Sequence, residues 1–127
     1  MKDTPSHGEF CWNELATGNL GAAKDFYHQL LGWEYIDHDM GDFIYTIVKS
    51  GDKEIAGIWE IPTENINNIP PHWMSYILVD DLEKSLEKAN QLGAIPKMPI
   101  KQAGEYGKFV VLADPTGAHV ALWQSLN

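Results

Sequence analysis

The chain has 127 residues, 44% hydrophobic and 11% aromatic, which fits one globular domain and excludes a disordered chain. Eighteen acidic residues against nine basic ones give a formal charge of −9, which argues against a nucleic-acid-binding face and against anionic membrane surfaces. The single cysteine, Cys11, leaves no intrachain disulfide and fits a reducing, cytoplasmic setting. No apolar run approaches the roughly 20 residues of a membrane span, and the opening MKDTPSHGEF lacks the apolar core of a signal peptide.

In chain order, GEFCWNELA (8–16) reads as a strand. Strand side chains alternate faces, so Phe10, Trp12 and Glu14 share one side and Cys11, Asn13 and Leu15 the other. Thr17 or Asn19 is placed to cap a helix. Leu20, Ala23, Phe26, Tyr27, Leu30 and Leu31 then recur at helical spacing, and Gly32 is placed to stop the helix in a left-handed conformation. Residues 33–38 and 43–48 read as strands, and Ser50-Gly51-Asp52 turns the chain into a third over 54–61. The polar, proline-bracketed PTENINNIPP (62–71) reads as a connector.

After the connector the order repeats. Residues 72–79 read as a strand. Asp80 and Glu83 have capping-box spacing, with Asp80 as the cap. Leu82, Leu86, Ala89 and Leu92 form an apolar helical stripe that Gly93 ends. Residues 95–102 read as an irregular edge strand, because Pro96 and Pro99 cannot donate to a ladder. The chain closes with a hairpin, 108–113 and 118–124, around Asp114-Pro115-Thr116-Gly117. In its last strand Val120 and Leu122 form the core-facing set, and His119, Ala121 and Trp123 share the opposite face.

The halves therefore match as strand, helix, three strands, twice over. Residues echo too: Trp12 and Trp73 near the start of each half, Leu31-Gly32 and Leu92-Gly93 at each helix end, Ala56-Gly57-Ile58-Trp59 and Val120-Ala121-Leu122-Trp123 at the close. The expected fold class is α+β. One domain over 1–127 holds two tandem βαβββ modules, about 8–61 and 72–124, with 62–71 between them, and the sheet curves around a cup.

This pattern resembles the vicinal oxygen chelate superfamily, which includes glyoxalase I, bleomycin and fosfomycin resistance proteins and extradiol dioxygenases. The matching pieces are Trp12-Asn13-Glu14-Leu15, Ala22-Ala23-Lys24-Asp25-Phe26-Tyr27, Leu31-Gly32-Trp33, Ile77-Leu78-Val79-Asp80-Asp81-Leu82, Leu92-Gly93 and Asp114-Pro115-Thr116-Gly117. The Trp-x-Glu-Leu start and Asp-Pro-x-Gly-Ala hairpin are similar to a bacterial glyoxalase-like subgroup. The resemblance implies a divalent metal (Zn, Ni, Fe or Mn) on the inner face, held by His and Glu and acting as a Lewis acid on two adjacent substrate oxygens. Here the sequence departs from the family. The ligand slots fall on Trp12, Gly57, Met74 and Ala121, none of which offers the nitrogen or oxygen donor such a metal needs. No metal or other cofactor is therefore expected.

The expected function is small-molecule binding without the metal, comparable in kind to resistance proteins that sequester a drug. The alternative is an enzyme of the glyoxalase, lyase, isomerase or dioxygenase kind, with a non-standard metal site or with Glu14 as base. Glu14 shares the inner face with Trp12, where desolvation among aromatics raises a carboxyl pKa. Trp12, Trp59, Met74, Tyr76, Phe109, Ala121 and Trp123 are the expected pocket lining. His72 and His119 sit off the ligand slots and read as ordinary strand histidines, and Asp37, Asp39 and Asp42 as a solvated turn. The expected partners are a small-molecule ligand and, by resemblance, a second copy of the chain in a homodimer.

Overall fold

The computed structural model describes residues 5–65 and 67–126. Among them are two α-helices and nine strands, the α+β composition that the pattern predicts. The chain divides into two compact units, residues 12–74 and residues up to 11 together with 75 onward.

The first unit holds β1 (Phe10–Thr17, all but its first two residues), α1 (Leu20–Leu31), β2 (Glu34–Asp39), β3 (Ile44–Ser50) and β4 (Lys53–Glu60). The strands lie in the order β2-β3-β4-β1. β1 runs parallel to β4, and the other neighbours are antiparallel. Both expected capping residues act at α1. The Asn19 side chain accepts from the Ala22 N–H at 3.0 Å, and Thr17 Oγ1 accepts from the Asn19 N–H at 3.2 Å. Gly32 adopts φ 76° and its N–H returns to the His28 carbonyl, the left-handed stop expected of it.

Leu15, Val48, Ala56 and Ile58 form the core under α1, with Leu20, Ala23 and Tyr27 packed on it. The contact is narrower than the apolar stripe: Phe26, Leu30 and Leu31 stay 55%, 61% and 54% exposed. A polar cluster ties α1 to the far strands. Lys24 Nζ reaches both Asp37 carboxylate oxygens at 3.2 and 3.1 Å, and the buried Thr46 hydroxyl donates to Asp37 at 2.7 Å. The register shifts beside Val48, which leaves Ile55 as an unpaired extra residue on β4.

The second unit repeats this connectivity with β5 (His72–Leu78, from residue 75), α2 (Leu82–Gln91), β6 (Ile95–Pro96), β7 (Lys101–Ala103), β8 (Gly107–Ala113) and β9 (His119–Ser125). The order is β5-β9-β8-β6, with β7 also on β8. Again the first and last strands are parallel. The edge strand breaks into β6 and β7 around Pro96 and Pro99, as their missing donors require. Val79, Leu82 and Val110 form the core, with Leu86, Met98, Ile100 and Leu122 around it.

One cap differs from expectation. Asp81, not Asp80, caps α2, accepting from the Lys84 N–H at 3.1 Å. The Asp80 N–H instead donates to His7 Nδ1 at 3.1 Å. The helix therefore begins one residue later than the spacing suggests, with the fully buried Leu82 as its first residue. In the closing turn the Asp114 carboxylate accepts from the Thr116 N–H, the Thr116 hydroxyl and the Ala118 N–H, and Gly117 takes φ 95°.

Candidate functional site

In the first unit, the sheet face opposite α1 carries the expected site residues. Glu14 pairs with Gly57 across β1 and β4, and Ile47 pairs with Gly57 across β3 and β4. Alternation therefore puts Trp12, Glu14, Gly57 and Trp59 on this face. Between them lies a residue that the sequence reading did not single out. Tyr45 projects from β3 over Gly57, where a Cβ would collide with its hydroxyl oxygen and ring. The phenol fits only because position 57 has no side chain.

The Tyr45 hydroxyl joins two of the predicted residues. Trp12 Nε1–H donates to Tyr45 Oη at 2.9 Å, and Tyr45 Oη–H donates to Glu14 Oε2 at 2.7 Å. Burial pushes the Tyr45 phenol far above its ordinary range, and the Glu14 carboxylate adds to the effect. Tyr45 thus keeps its proton and acts as a donor to Glu14. The hydrogen bonds run one way, from indole to phenol to carboxylate.

The second unit supplies aromatic surface. Tyr76, Phe109 and Trp123 form a group with ring centroids 5.9 to 6.3 Å apart, Phe109 and Trp123 being stacked. Gly107 makes room for the Trp123 indole as Gly57 does for Tyr45, because a Cβ there would strike the indole. Ala121 pairs with Tyr76 and is fully buried. Met74 and Trp59 are half-buried. The structure therefore joins Trp12 with Glu14, and Tyr76 with Phe109 and Trp123.

A separate open concavity of about 330 Å³ is lined by Asn13, Trp33, Ile55, Ala56 and Trp73. Asn13 and Ala56 are register partners whose parity is opposite to that of Glu14 and Gly57, so this hollow lies on the α1 side of the sheet. Its two tryptophans pack against each other and against Tyr27, ring centroids 4.9 to 6.1 Å apart. Cys11 is half-buried, and burial pushes its thiol up, away from the reactive thiolate.

Residues 10–122 match the family model described as Glyoxalase/Bleomycin resistance protein/Dioxygenase superfamily. The chain belongs to this superfamily. It is 35% identical over 116 residues, 90% of its own length, to "Putative glyoxylase CFP32" of Mycobacterium tuberculosis. It is 30% identical over 112 residues, 87% of its length, to "Anthracycline biosynthesis protein DnrV" of Streptomyces peucetius. The chain spans less than half the length of these curated relatives, 44% and 39%. Among solved structures, methylmalonyl-CoA epimerase from Mycobacterium tuberculosis superposes with TM-score 0.64 at 14% identity, over 93% of this chain and 87% of that one. The hypothetical protein BH1468 from Bacillus halodurans superposes with TM-score 0.72 at 10% identity, over 94% and 96%. At such identities the likeness concerns the fold alone.

At the positions where the resemblance places the superfamily's metal ligands, the residues present do not fit a divalent metal. The Trp12 indole nitrogen is a donor only, Met74 offers a thioether, Ala121 a methyl group, and the Gly57 slot is filled by the Tyr45 hydroxyl. Among the described residues, no group of three or more His, Cys, Asp or Glu is placed to hold a metal ion. His72 Nδ1 lies 2.7 Å from the Pro70 carbonyl, and His119 is exposed.

Proposed function

We propose that this superfamily member binds a small molecule on the aromatic inner face of its sheets, holds it without a divalent metal, and works as a homodimer in a reducing compartment. The observation that carries the reading is the first unit's replacement at the metal slots. Where the family places ligands, this chain has an indole donor and a glycine, and the glycine's space holds a phenol bonded to Glu14. Aromatic walls with a few fixed polar groups suit a flat or apolar ligand. The Tyr76, Phe109 and Trp123 group gives the second unit an aromatic surface of its own. The apolar side chains left exposed on α1 support the pairing of two copies.

Metal analysis of protein purified from cells without an affinity metal column tests this. The expected result is metal far below one equivalent per chain, with a melting temperature that a chelator leaves unchanged. One equivalent of zinc, nickel, iron or manganese retained through dialysis would overturn the reading in favour of a metalloenzyme.

A further inference from the structure

Neighbouring residues of a strand point to opposite faces. Ile55 and Ala56 nevertheless both line the hollow on the α1 side of the sheet, together with Asn13, Trp33 and Trp73, all five within the first unit. The register shift on β4 accounts for this. Val48 pairs with Ala56 and Lys49 with Glu54, so Ile55 stands between them without a partner and its side chain is re-aimed. Ile55 accordingly packs against the Leu15, Val48, Ala56 and Ile58 core. Tyr27 holds the two tryptophan walls. Trp33 follows the helix stop at Gly32 and stacks on Tyr27, with centroids 4.9 Å apart and planes at 21°. Trp73 stands nearly at a right angle to Trp33, at 82°, and its Nε1–H donates to the Tyr27 hydroxyl at 3.1 Å.

We infer that this hollow is a binding site in its own right, on the opposite face of the sheet from Trp12 and Glu14, for an uncharged planar aromatic molecule of one or two rings. Its volume of about 330 Å³ lies at the lower end of the roughly 300–1,000 Å³ of small-molecule pockets. No lining residue carries a charge: Asn13 is an amide and the other four are apolar or aromatic, so nothing there offsets the desolvation of a charged ligand. With its N–H given to Tyr27, Trp73 offers ring surface, and it is 40% exposed. Walls already fixed by Tyr27 lose little freedom when a flat ring settles against them. Aromatic pairs, offset-stacked or edge-to-face, add to the gain from burying that surface.

The five tryptophans supply the test, because each gives one indole N–H signal in the nitrogen-15 spectrum of the full chain, assigned through single Trp→Phe variants. Unlabelled naphthalene-2-carboxamide is titrated in. The Trp33 and Trp73 signals should move saturably while those of Trp12, Trp59 and Trp123 stay in place. The fully saturated decahydro analogue should bind about fivefold more weakly, the scale of an aromatic pair. Trp73→Leu removes one wall at a partly exposed position and should abolish the movement at Trp33. Asn13→Tyr, at an exposed position of the lining, fills the hollow and carries the test if Trp73→Leu does not fold. Saturable movement at Trp12, Trp59 or Trp123 with Trp33 and Trp73 unmoved would overturn the inference and leave binding on the inner face standing. No saturable movement at any tryptophan, or equal binding of the saturated analogue, would overturn it too. So would movement of the Trp33 and Trp73 signals on dilution without probe, which would show the hollow covered by a second copy of the chain. Metal content bears on the inner face alone and leaves this site untouched.

Discussion

At the scale of single residues, the first unit spends its polar side chains in pairs and triads. Thr46 is fully buried, yet its hydroxyl is satisfied by Asp37, which Lys24 also holds. The Thr46 hydrogen bond, and then Lys24, keep the Asp37 carboxyl below the usual carboxylate range. A carboxyl depressed in the folded state contributes stability that is present above its unfolded pKa and lost as pH falls through its folded pKa. Asp37→Asn should therefore lower the melting temperature at pH 7, and the gap from the parent protein should close on acidification through the carboxylate range. A gap that stays constant with pH would count against this role. Glu14 and Trp12 were legible as residues of one face because alternation is a local property. Tyr45 was not, because its place depends on the register of β3 against β4 and on the missing side chain of Gly57. The available signal was a glycine in a strand interior, which marks a close approach by another group.

At the scale of elements, both helices start and stop by local chemistry. Asn19 and Asp81 each accept from a backbone N–H of the first turn. Losing such a cap costs about 1 kcal/mol. Asp81→Ala should destabilise the fold by about that amount in urea unfolding, whereas Asp80→Ala, one residue earlier, should cost far less. Equal losses would mean that the helix start is not fixed by Asp81. Most elements were readable from the sequence: apolar period 3.6 for the helices, alternation for the strands, and two prolines for the broken edge. The cap register was misread because Asp80 and Asp81 are chemically alike. What separates them is their partners, the Lys84 N–H for the Asp81 carboxylate and His7 for the Asp80 backbone, and those meet only in the folded chain. The extra residue at Ile55 was equally invisible, since a bulge leaves no trace in an alternation read one strand at a time.

For the whole molecule, the two units share one connectivity, strand, helix, then an antiparallel set whose last strand returns parallel to the first. Each unit keeps its own core. The proposed pairing of copies belongs to this scale. Phe26, Leu30 and Leu31, each more than half exposed on α1, are costly to leave in water and offer a surface that a second copy could cover. Sedimentation at micromolar concentration should give twice the 14.3 kDa chain mass. A 14.3 kDa species would contradict the dimer.

The sequence by itself determined the repeated strand–helix–strand order, the helix stops at Gly32 and Gly93, the face shared by Trp12 and Glu14 and the family to which the pattern points. These rest on local geometry and periodicity, which a chain carries in its residue order. Only the tertiary structure decided which donors and acceptors meet. Strand pairing brought Tyr45, 31 residues from Glu14, into the space that Gly57 leaves open. A hydrogen bond forms only when distance and angle are met together, and those are set by register and packing rather than by any one stretch of sequence.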